Sequence, residues 1–517
     1  MKQDSVRISL TPGTVIPAEL HSQFIEHLGS CIYDGIWVGK DSSIPNVEGF
    51  RKDVLDALQK IAPPVVRWPG GCFADTYHWK DGIGSQRPVI YNGNFGTAET
   101  EDNSFGTDEF MRLCELIGAK PWLNINMLSG SVREAAEWAE YCNREESTSL
   151  SEMRRQNGHD APYQVELWGI GNEVWAGGGN MTPQGYADAY RRYASAMPQF
   201  TRQTPDGRQR LPQTYILSGP DGNKPKERVH WTKDLFSELA RYRQPNIGAI
   251  DLHFYNWNVT GNDDVDRFDE SDWYRVLGGA MEIGDVIDEQ YALIQDGLAQ
   301  FPESEVPYFP NPTPKCDLYI GEWGNWHGRA FSARPALWQQ CSMRDALTSA
   351  LTLDIFHQKA DKVKLACCAQ TVNVLNSLVL TDGAQTVLTP NYYVYLMYMV
   401  HRGGNALSLQ TDSQPVSEQL DGVMAFASRT GDIIHLNIIC TDFAEEHTVN
   451  IRFDKDVFCN GGETLASSNP TDCNTFDCPD RIQPQENHSA VLTENGWKIT
   501  VPAASVNVFH FQTQCLG

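Results

Sequence analysis

Eight short apolar runs, each ending in or next to polar side chains, alternate with helical patterns up to about residue 390. Runs without polar alternation are typical of parallel strands that are buried on both faces. Strand–helix alternation repeated this often favours a closed barrel over an open sheet. The sequence therefore predicts an α/β fold built on a (β/α)8 TIM barrel. The strands are expected at Phe24–Glu26, Val65–Trp68, Pro121–Met127, Val165–Glu173, Tyr215–Gly219, Ile250–Tyr255, Leu318–Glu322 and Val363–Gln370.

Helix signals lie between these runs. Apolar residues recur at helical spacing in two segments, and Gly118 follows the second as a C-cap. Thr182-Pro183 has the N-cap and first-turn proline of another helix. The two apolar sets are Phe50, Val54, Leu58 and Ile61, then Phe110, Cys114 and Ile117.

The pattern changes after about residue 390, where short alternating segments with turn signals predict an antiparallel β-sandwich. Ser5–Leu10 also alternates and is expected to join it. We therefore predict a barrel domain over residues 18–390 and a sandwich domain made of residues 1–17 and 391–517. The expected strands are Val423–Ala427, Ile433–Ile439, Thr448–Phe453, Ala490–Thr493, Trp497–Val501 and Val506–Phe511.

Charge and hydrophobicity disfavour several classes of binding partner and location. The formal net charge of −25 disfavours nucleic acid, anionic membrane surfaces and polyanionic substrates, and leaves neutral ligands open. No uninterrupted apolar run approaches the ~18 residues of a membrane span. The first residues lack the apolar core of a secretory signal, and the initial Met favours a cytoplasmic protein over one whose signal was removed.

The 13 cysteines show no disulfide-like spacing, so free thiols in a reducing compartment are expected. Cys473 and Cys478 would be the pair to consider if the protein were secreted. No C-x-x-C or H-E-x-x-H motif occurs, and the acidic run at 262–266 lacks the spacing of a calcium loop. We expect no metal and no cofactor.

Two of the predicted strands end in a glutamate surrounded by Gly, Asn and Trp. They are the strands that lead to Glu173 and Glu322. A carboxylate at the end of a buried strand costs free energy through desolvation, and paired carboxylates flanking one bond carry out glycoside hydrolysis. Glu173, after Asn172, suits an acid/base, and Glu322 suits a nucleophile that stays ionised. The alternative for each is a structural Glu paired with a buried Arg.

Neighbouring residues support this site but have plainer interpretations too. Arg67 is expected to hold a carboxylate such as Glu26 or Glu322. His253 and Tyr255 either orient the nucleophile or form a core pair. Cys72 is expected to line the wall, with a nucleophilic thiol as the weaker alternative. Trp68, Trp175, Trp323 and Trp326 are each either a stacking surface for a sugar or part of the core.

Six ordered motifs resemble glycoside hydrolase family 51, whose members are mostly α-L-arabinofuranosidases. The match spans nearly the whole chain and continues at 369–373 and 474–479. The motifs are Phe24-Ile25-Glu26-His27-Leu28-Gly29, Arg67-Trp68-Pro69-Gly70-Gly71-Cys72-Phe73-Ala74-Asp75, Tyr77-His78-Trp79, Asp81-Gly82-Ile83-Gly84, Gly169-Ile170-Gly171-Asn172-Glu173 and Glu322-Trp323-Gly324-Asn325-Trp326.

This resemblance implies a barrel with a jelly-roll type sandwich and an exo-acting retaining enzyme. Glu173 would be the acid/base after strand 4 and Glu322 the nucleophile after strand 7. The family's members are often intracellular hexamers and need no cofactor. The residues expected around the terminal furanose are Glu26, Cys72, Asn172, Trp175, Tyr255, Trp326 and Gln370, together with His253, which is predicted from its position in the sequence.

The chain departs from the family at two positions. Phe95, in Asn94-Phe95-Gly96, stands where the family often has Trp, in a loop expected to reach toward the leaving-group side. His327 stands where Tyr is common. The polar segment 143–162 is interpreted as an insertion. A related retaining glycosidase acting on β-xylosides or β-glucans is the alternative function, and a non-catalytic carbohydrate-binding protein is a weaker one.

Overall fold

The computed structural model describes residues 2–93, 99–242, 245–259, 264–302 and 315–513. The strands are β1 (Lys2–Val15), β2 (Ser22–Phe24), β3 (Asn46–Val47), β4 (Phe50–Arg51), β5 (Val65–Trp68), β6 (Ile90–Asn92), β7 (Glu99–Glu101), β8 (Lys120–Ile125), β9 (Leu167–Ile170), β10 (Thr201–Thr204), β11 (Gly207–Arg210), β12 (Thr214–Asp221), β13 (Ala249–Asn258), β14 (Asp317–His327), β15 (Val363–Ala369), β16 (Val379–Asp382), β17 (Gln385–Leu388), β18 (Asn405–Asp412), β19 (Val423–Thr430), β20 (Ile433–Cys440), β21 (His447–Phe453), β22 (Val457–Leu465), β23 (Gln485–Asn487), β24 (Val491–Thr493), β25 (Gly496–Val501) and β26 (Ser505–Thr513). The α-helices are α1 (Lys52–Ile61), α2 (Thr107–Ile117), α3 (Val132–Asn143), α4 (Ser149–Gln156), α5 (Pro183–Ala196), α6 (Pro225–Ala240), α7 (Glu270–Met281), α8 (Ile283–Leu298), α9 (Met343–Gln358) and α10 (Pro390–Tyr398).

Eight parallel strands close into a barrel in the order β2-β5-β8-β9-β12-β13-β14-β15, and β15 pairs back to β2. Each of the eight predicted strands corresponds to one of these, so the predicted (β/α)8 barrel is confirmed. The strands are buried on both faces, as their continuous apolar runs indicated. Their carboxyl ends meet at one rim, which is where catalytic residues of such barrels lie.

The predicted helix boundaries are confirmed at two caps. Gly118 follows α2 with a left-handed φ of 74°, which favours glycine. The Thr182 hydroxyl accepts a hydrogen bond from the Gly185 backbone N–H at 3.1 Å and caps α5. The polar segment 143–162 contains the short helix α4.

A second sheet of ten strands folds around its own apolar core and forms the predicted β-sandwich, in the order β23-β22-β26-β20-β19-β18-β1-β21-β25-β24. The expectation that Ser5–Leu10 joins this sheet is confirmed by β1. The sheet is mostly antiparallel, which confirms the predicted sandwich, and β1 pairs in parallel with β21. These two strands lie at opposite ends of the chain, and a connection that long can join parallel strands.

The twelve cysteines of the described part are free, Cys473 and Cys478 among them. Within the same part of the chain, no helix is long and apolar enough to cross a membrane.

A row of five histidines runs from the barrel into the sandwich. His21 Nε2 lies 2.8 Å from His357 Nε2, and the rings of His357 and His401 have centroids 5.2 Å apart. The row continues from His401 to His435 at 6.0 Å and ends where His435 Nδ1 lies 2.9 Å from His510 Nδ1. Burial lowers the pKa of all five, to about 3 for His401 and about 4 for His435. The neighbouring Arg402 cation lowers the pKa of His21 and His357 further.

We predict that these histidines contribute less to the free energy of unfolding at acidic pH. A histidine with a lowered folded-state pKa gives its full stabilisation above the unfolded pKa of ~6.5, and loses it progressively as the pH falls toward the folded value. For His401 the loss is about 2 kcal/mol near pH 5. Buried carboxyl groups with raised pKa values, Asp354 among them, gain stability over the same pH range. The contribution of His401 is therefore measured as the difference between the wild type and a His401 variant in the shift of the thermal unfolding temperature between about pH 7.5 and about pH 5.

His401→Gln should show a smaller drop between the two pH values than the wild type, because it removes one of these titrations. His488→Gln is the matched control, since His488 is an exposed side chain on the sandwich. Equal drops in wild type and His401→Gln would contradict the assignment.

Candidate active site

Glu322 lies inside β14, at the barrel rim, and is almost fully buried. Arg67 donates from Nη1 to Glu322 Oε1 at 2.6 Å, and Tyr255 donates its hydroxyl to Oε2 at 2.7 Å. Burial alone would raise the pKa of Glu322, but the positive charges of His253 and Arg67 and these hydrogen bonds outweigh it. The net result is a lowered pKa, so Glu322 is an ionised carboxylate at neutral pH.

Glu173 follows β9 and has a left-handed φ of 38°, a strained conformation for a residue with a side chain. Burial raises its pKa first, and the charge of Glu322 adds to that. The hydrogen bond from His253 and its positive charge act in the opposite direction and only partly offset the rise. Two carboxyl groups with pKa values moved in opposite directions are the arrangement of an acid and a nucleophile.

His253 lies between the two carboxyl groups. Its Nδ1 is 2.9 Å from Glu173 Oε1 and 3.5 Å from Glu322 Oε1, and its Nε2 is 3.0 Å from Asp251 Oδ2. Burial lowers its pKa, but the charges of Glu322 and Asp251 outweigh burial and raise the pKa to about 10. His253 therefore bridges both carboxyl groups as an imidazolium, rather than orienting the nucleophile alone.

One oxygen of Glu173, one of Glu322 and a ring nitrogen of His253 lie within 4.8 Å of one another. Nearest oxygens this close fit the ~5–5.5 Å carboxyl separation of retaining glycosidases better than the ~6.5–9.5 Å of inverting ones. The same three residues are close enough to hold a metal ion. As an imidazolium, however, His253 has no lone pair to offer, which disfavours metal binding.

Glu26 also lines the site and is held by the Phe73 backbone N–H at 2.9 Å and by Gln370 Nε2 at 2.8 Å. Burial and the charge of Glu322 raise the pKa of Glu26 to about 7. Gly71 allows this close packing, because a Cβ there would lie 2.8 Å from Glu322 Oε1. Asn172 is fixed by Arg67, whose Nη2 donates to its Oδ1 at 2.7 Å.

These groups surround a cavity of about 250 Å³. This is slightly smaller than the ~300–1,000 Å³ of typical small-ligand pockets, and it suits one sugar unit. Every predicted site residue except Asn172 and Arg67 lines it; those two lie directly behind and hold its walls. The lining includes Glu26, Cys72, Glu173, Trp175, His253, Tyr255, Glu322, Trp326 and Gln370.

The Cys72 thiol is a wall residue. Burial raises its pKa well above the ordinary value, and the charges of Glu173, Glu26 and Glu322 raise it further. A thiol in this setting stays protonated, which argues against the nucleophilic alternative.

Sequence reasoning missed several residues of the site. Asp221, Asn223 and Trp257 line the cavity, and Asp251 lies beneath His253. Asp75 is buried behind the wall, and burial, with the charges of Glu173 and Glu26, raises its pKa to about 8. Asp251 and Trp257 are spaced at even intervals from His253 and Tyr255 along β13, so this period-two pattern was the available signal.

Other candidates lie elsewhere. Trp68 and Trp323 are buried in the core, which was one of their two predicted alternatives. Asn126, the polar residue near the end of the predicted strand Pro121–Met127, accepts hydrogen bonds from the backbone N–H groups of Ser129 and Gly130 and shapes a loop. His327 is buried against Asp345 at 2.8 Å. The Asn94-Phe95-Gly96 departure lies outside the described residues.

Comparison with known proteins identifies the family of this chain. The model of the alpha-L-arabinofuranosidase 1 domain matches residues 57–273, and that of the alpha-L-arabinofuranosidase C-terminal domain matches residues 321–505. An intracellular exo-alpha-L-arabinofuranosidase of Bacteroides ovatus is 37% identical over 512 residues, which cover 96% of this chain and 93% of that protein. This chain belongs to glycoside hydrolase family 51.

Solved structures of arabinofuranosidases share the whole architecture. The GH51 arabinofuranosidase of Xanthomonas axonopodis pv. citri has a TM-score of 0.88 and 32% identity, covering 99% of this chain and 100% of that one. The alpha-L-arabinofuranosidase of Thermotoga maritima, solved as an arabinose complex, has a TM-score of 0.79 and 26% identity, with the same coverage.

In this family 51 protein, Arg67 is expected to be a main support of the site. Arg67→Met should lower the free energy of unfolding by ~3–5 kcal/mol, because it leaves the buried Glu322 charge without its closest cation. Arg112→Met is the matched control: Arg112 pairs with Glu48 and Glu115 on the surface and should contribute less than ~1 kcal/mol. Chemical denaturation of both variants measures the difference. Equal losses would mean that Arg67 does not support the site.

Proposed function

We propose that this protein is an exo-acting, retaining α-L-arabinofuranosidase that releases terminal arabinofuranose from oligo- or polysaccharides. The observation that carries the proposal is the close pair of Glu173 and Glu322, which have pKa values shifted in opposite directions and line a cavity sized for one sugar. The relatives named as arabinofuranosidases supply the identity of the sugar.

In the first step Glu322 attacks the anomeric carbon while Glu173 gives its proton to the glycosidic oxygen. The leaving group departs as an alcohol, and a glycosyl ester forms on Glu322. Arg67 and Tyr255 keep the attacking carboxylate ionised and oriented. Glu26 and Asn172 are proposed to bind hydroxyls of the furanose, because their polar atoms lie on or directly behind the wall.

Formation of the ester removes the negative charge of Glu322. That charge is one of the causes that raise the pKa of Glu173, whereas the positive charge of His253 stays in place. The pKa of Glu173 therefore falls once the intermediate has formed, and its carboxylate can accept a proton from water. Water then attacks the anomeric carbon and gives its proton to Glu173, while the bond to Glu322 breaks and restores its carboxylate. This second inversion releases arabinose with the original configuration.

We predict different effects for the two glutamates. Glu322→Ala should abolish turnover of every α-L-arabinofuranoside. Glu173→Ala should slow substrates with poor leaving groups far more than activated aryl glycosides, and it should remove the alkaline limb of the pH profile of kcat/KM, because that limb reports loss of the Glu173 proton.

The measurement is hydrolysis of an aryl α-L-arabinofuranoside beside the corresponding β-xyloside, with NMR detection of the product anomer. Wild-type preference for the xyloside would favour the alternative glycosidase. An inverted product, or full activity of Glu322→Ala, would contradict the mechanism.

We also propose that the protein acts in the cytoplasm as a homo-hexamer, and that its domains are divided at residues 17/18 and 390/391. The first part is supported by the Bacteroides ovatus relative, which is named intracellular. The hexamer is supported by family resemblance alone. Sedimentation of the purified chain should give the mass of six copies of 57.9 kDa, and a monomer would contradict this part of the proposal.

A further inference from the structure

An exposed aromatic patch borders the mouth of the active-site cavity. Trp257 is 43% exposed and Phe331 is 50% exposed. The chain has 14 tryptophans, all within the described residues, and Trp257 is the exposed one among them. Large rings are normally buried because their apolar area is costly to hydrate, so two of them side by side in water call for an explanation.

The two rings are held rigidly. Trp257 lies on β13 directly beside Trp326 on β14, and their ring centroids are 4.7 Å apart. Phe331 lies on the short 3-10 helix Gly328–Ser332 that follows β14, with its centroid 5.2 Å from Trp326. The planes of Trp257 and Phe331 differ by only 4°, with centroids 6.4 Å apart. The patch is therefore a set of nearly parallel rings supported from below by Trp326.

The patch continues the wall of the cavity. Trp257 and Trp326 both line the cavity, whereas Phe331 extends their surface outward. A cavity of about 250 Å³ accommodates one sugar, so the rest of a bound oligosaccharide must lie outside it. The C–H faces of sugar rings are apolar and pack against aromatic faces.

We propose that Trp257 and Phe331 form a leaving-group platform, on which the neutral sugar residue next to the scissile bond stacks. This inference rests on the proposed glycosidase function. In the second step of a retaining mechanism the same platform would hold an acceptor sugar in place of water, because transfer to a sugar is the reverse of the first step.

The test compares two substrates. One is an arabinofuranosyl disaccharide, whose leaving group is a sugar. The other is α-L-arabinofuranosyl fluoride, whose leaving group has no ring. In Phe331→Ala the ratio of kcat/KM for the disaccharide to that for the fluoride should fall by about three- to tenfold. The fraction of transfer product at high acceptor concentration should fall with it.

Phe331→Tyr should keep the wild-type ratio, because it retains the ring, and Phe331→Leu should not. If Phe331→Ala fails to fold, the comparison of Phe331→Tyr with Phe331→Leu still tests the proposal. Phe458→Ala is the matched control: Phe458 is 54% exposed on β22 of the sandwich, and its removal should leave the ratio unchanged.

The outcomes separate the two proposals. If the wild type cleaves neither substrate, the proposed function fails. If it cleaves both and Phe331→Ala keeps the wild-type ratio, the proposed function stands and the platform is wrong. An unchanged ratio with loss of the native oligomer would show that a second copy of the chain covers these rings, which also overturns the platform.

Discussion

The buried Arg67 guanidinium is the interaction on which the site depends. It forms hydrogen bonds with Glu322 and with Asn172 at once, and these residues come from two distant strands of the barrel. The planar guanidinium donates both hydrogen bonds in fixed directions, which the ammonium group of a lysine would not do. Phe24 and Trp122 pack against the guanidinium, with ring centroids 4.6 Å and 5.4 Å from Cζ, so the cation is also held from its faces.

The second cation, His253, decides how the negative charge is shared. Without it, Glu322 and Glu173 would repel each other at this distance, and burial would favour protonation of both. His253 contacts both glutamates and Asp251. Glu322 can therefore stay ionised while Glu173 holds a proton. The chemistry therefore depends on the balance of charges in the group and not on either glutamate alone.

Much of this was accessible from the sequence, for physical reasons. The eight barrel strands were found because strands buried on both faces read as apolar runs, and the polar residues at their ends mark the catalytic rim. The sandwich was found less completely: β18, β22 and β23 were missed. β22 contains Gly461-Gly462 and β18 alternates with few apolar residues, so neither gives a strong strand signal. The parallel pairing of β1 with β21 depends on contacts between the two ends of the chain, which no local pattern shows.

The site residues likewise divide into those that the sequence could predict and those that it could not. Glu26, Glu173, Glu322 and Gln370 were found because each interrupts an apolar run or follows it directly. Asp221 and Asn223 lie on or after β12 among loop-like residues, and their place in the wall depends on how that segment turns toward Tyr255. Asp251 lies inside β13, where the period-two pattern indicates the face it shares with His253 but its function follows from its contact with that residue. A residue whose role comes from its own type and position can be read from sequence, whereas one whose role comes from its neighbour needs the folded chain. The same holds for Trp257 and Phe331, since an exposed ring and a buried ring look alike in a sequence.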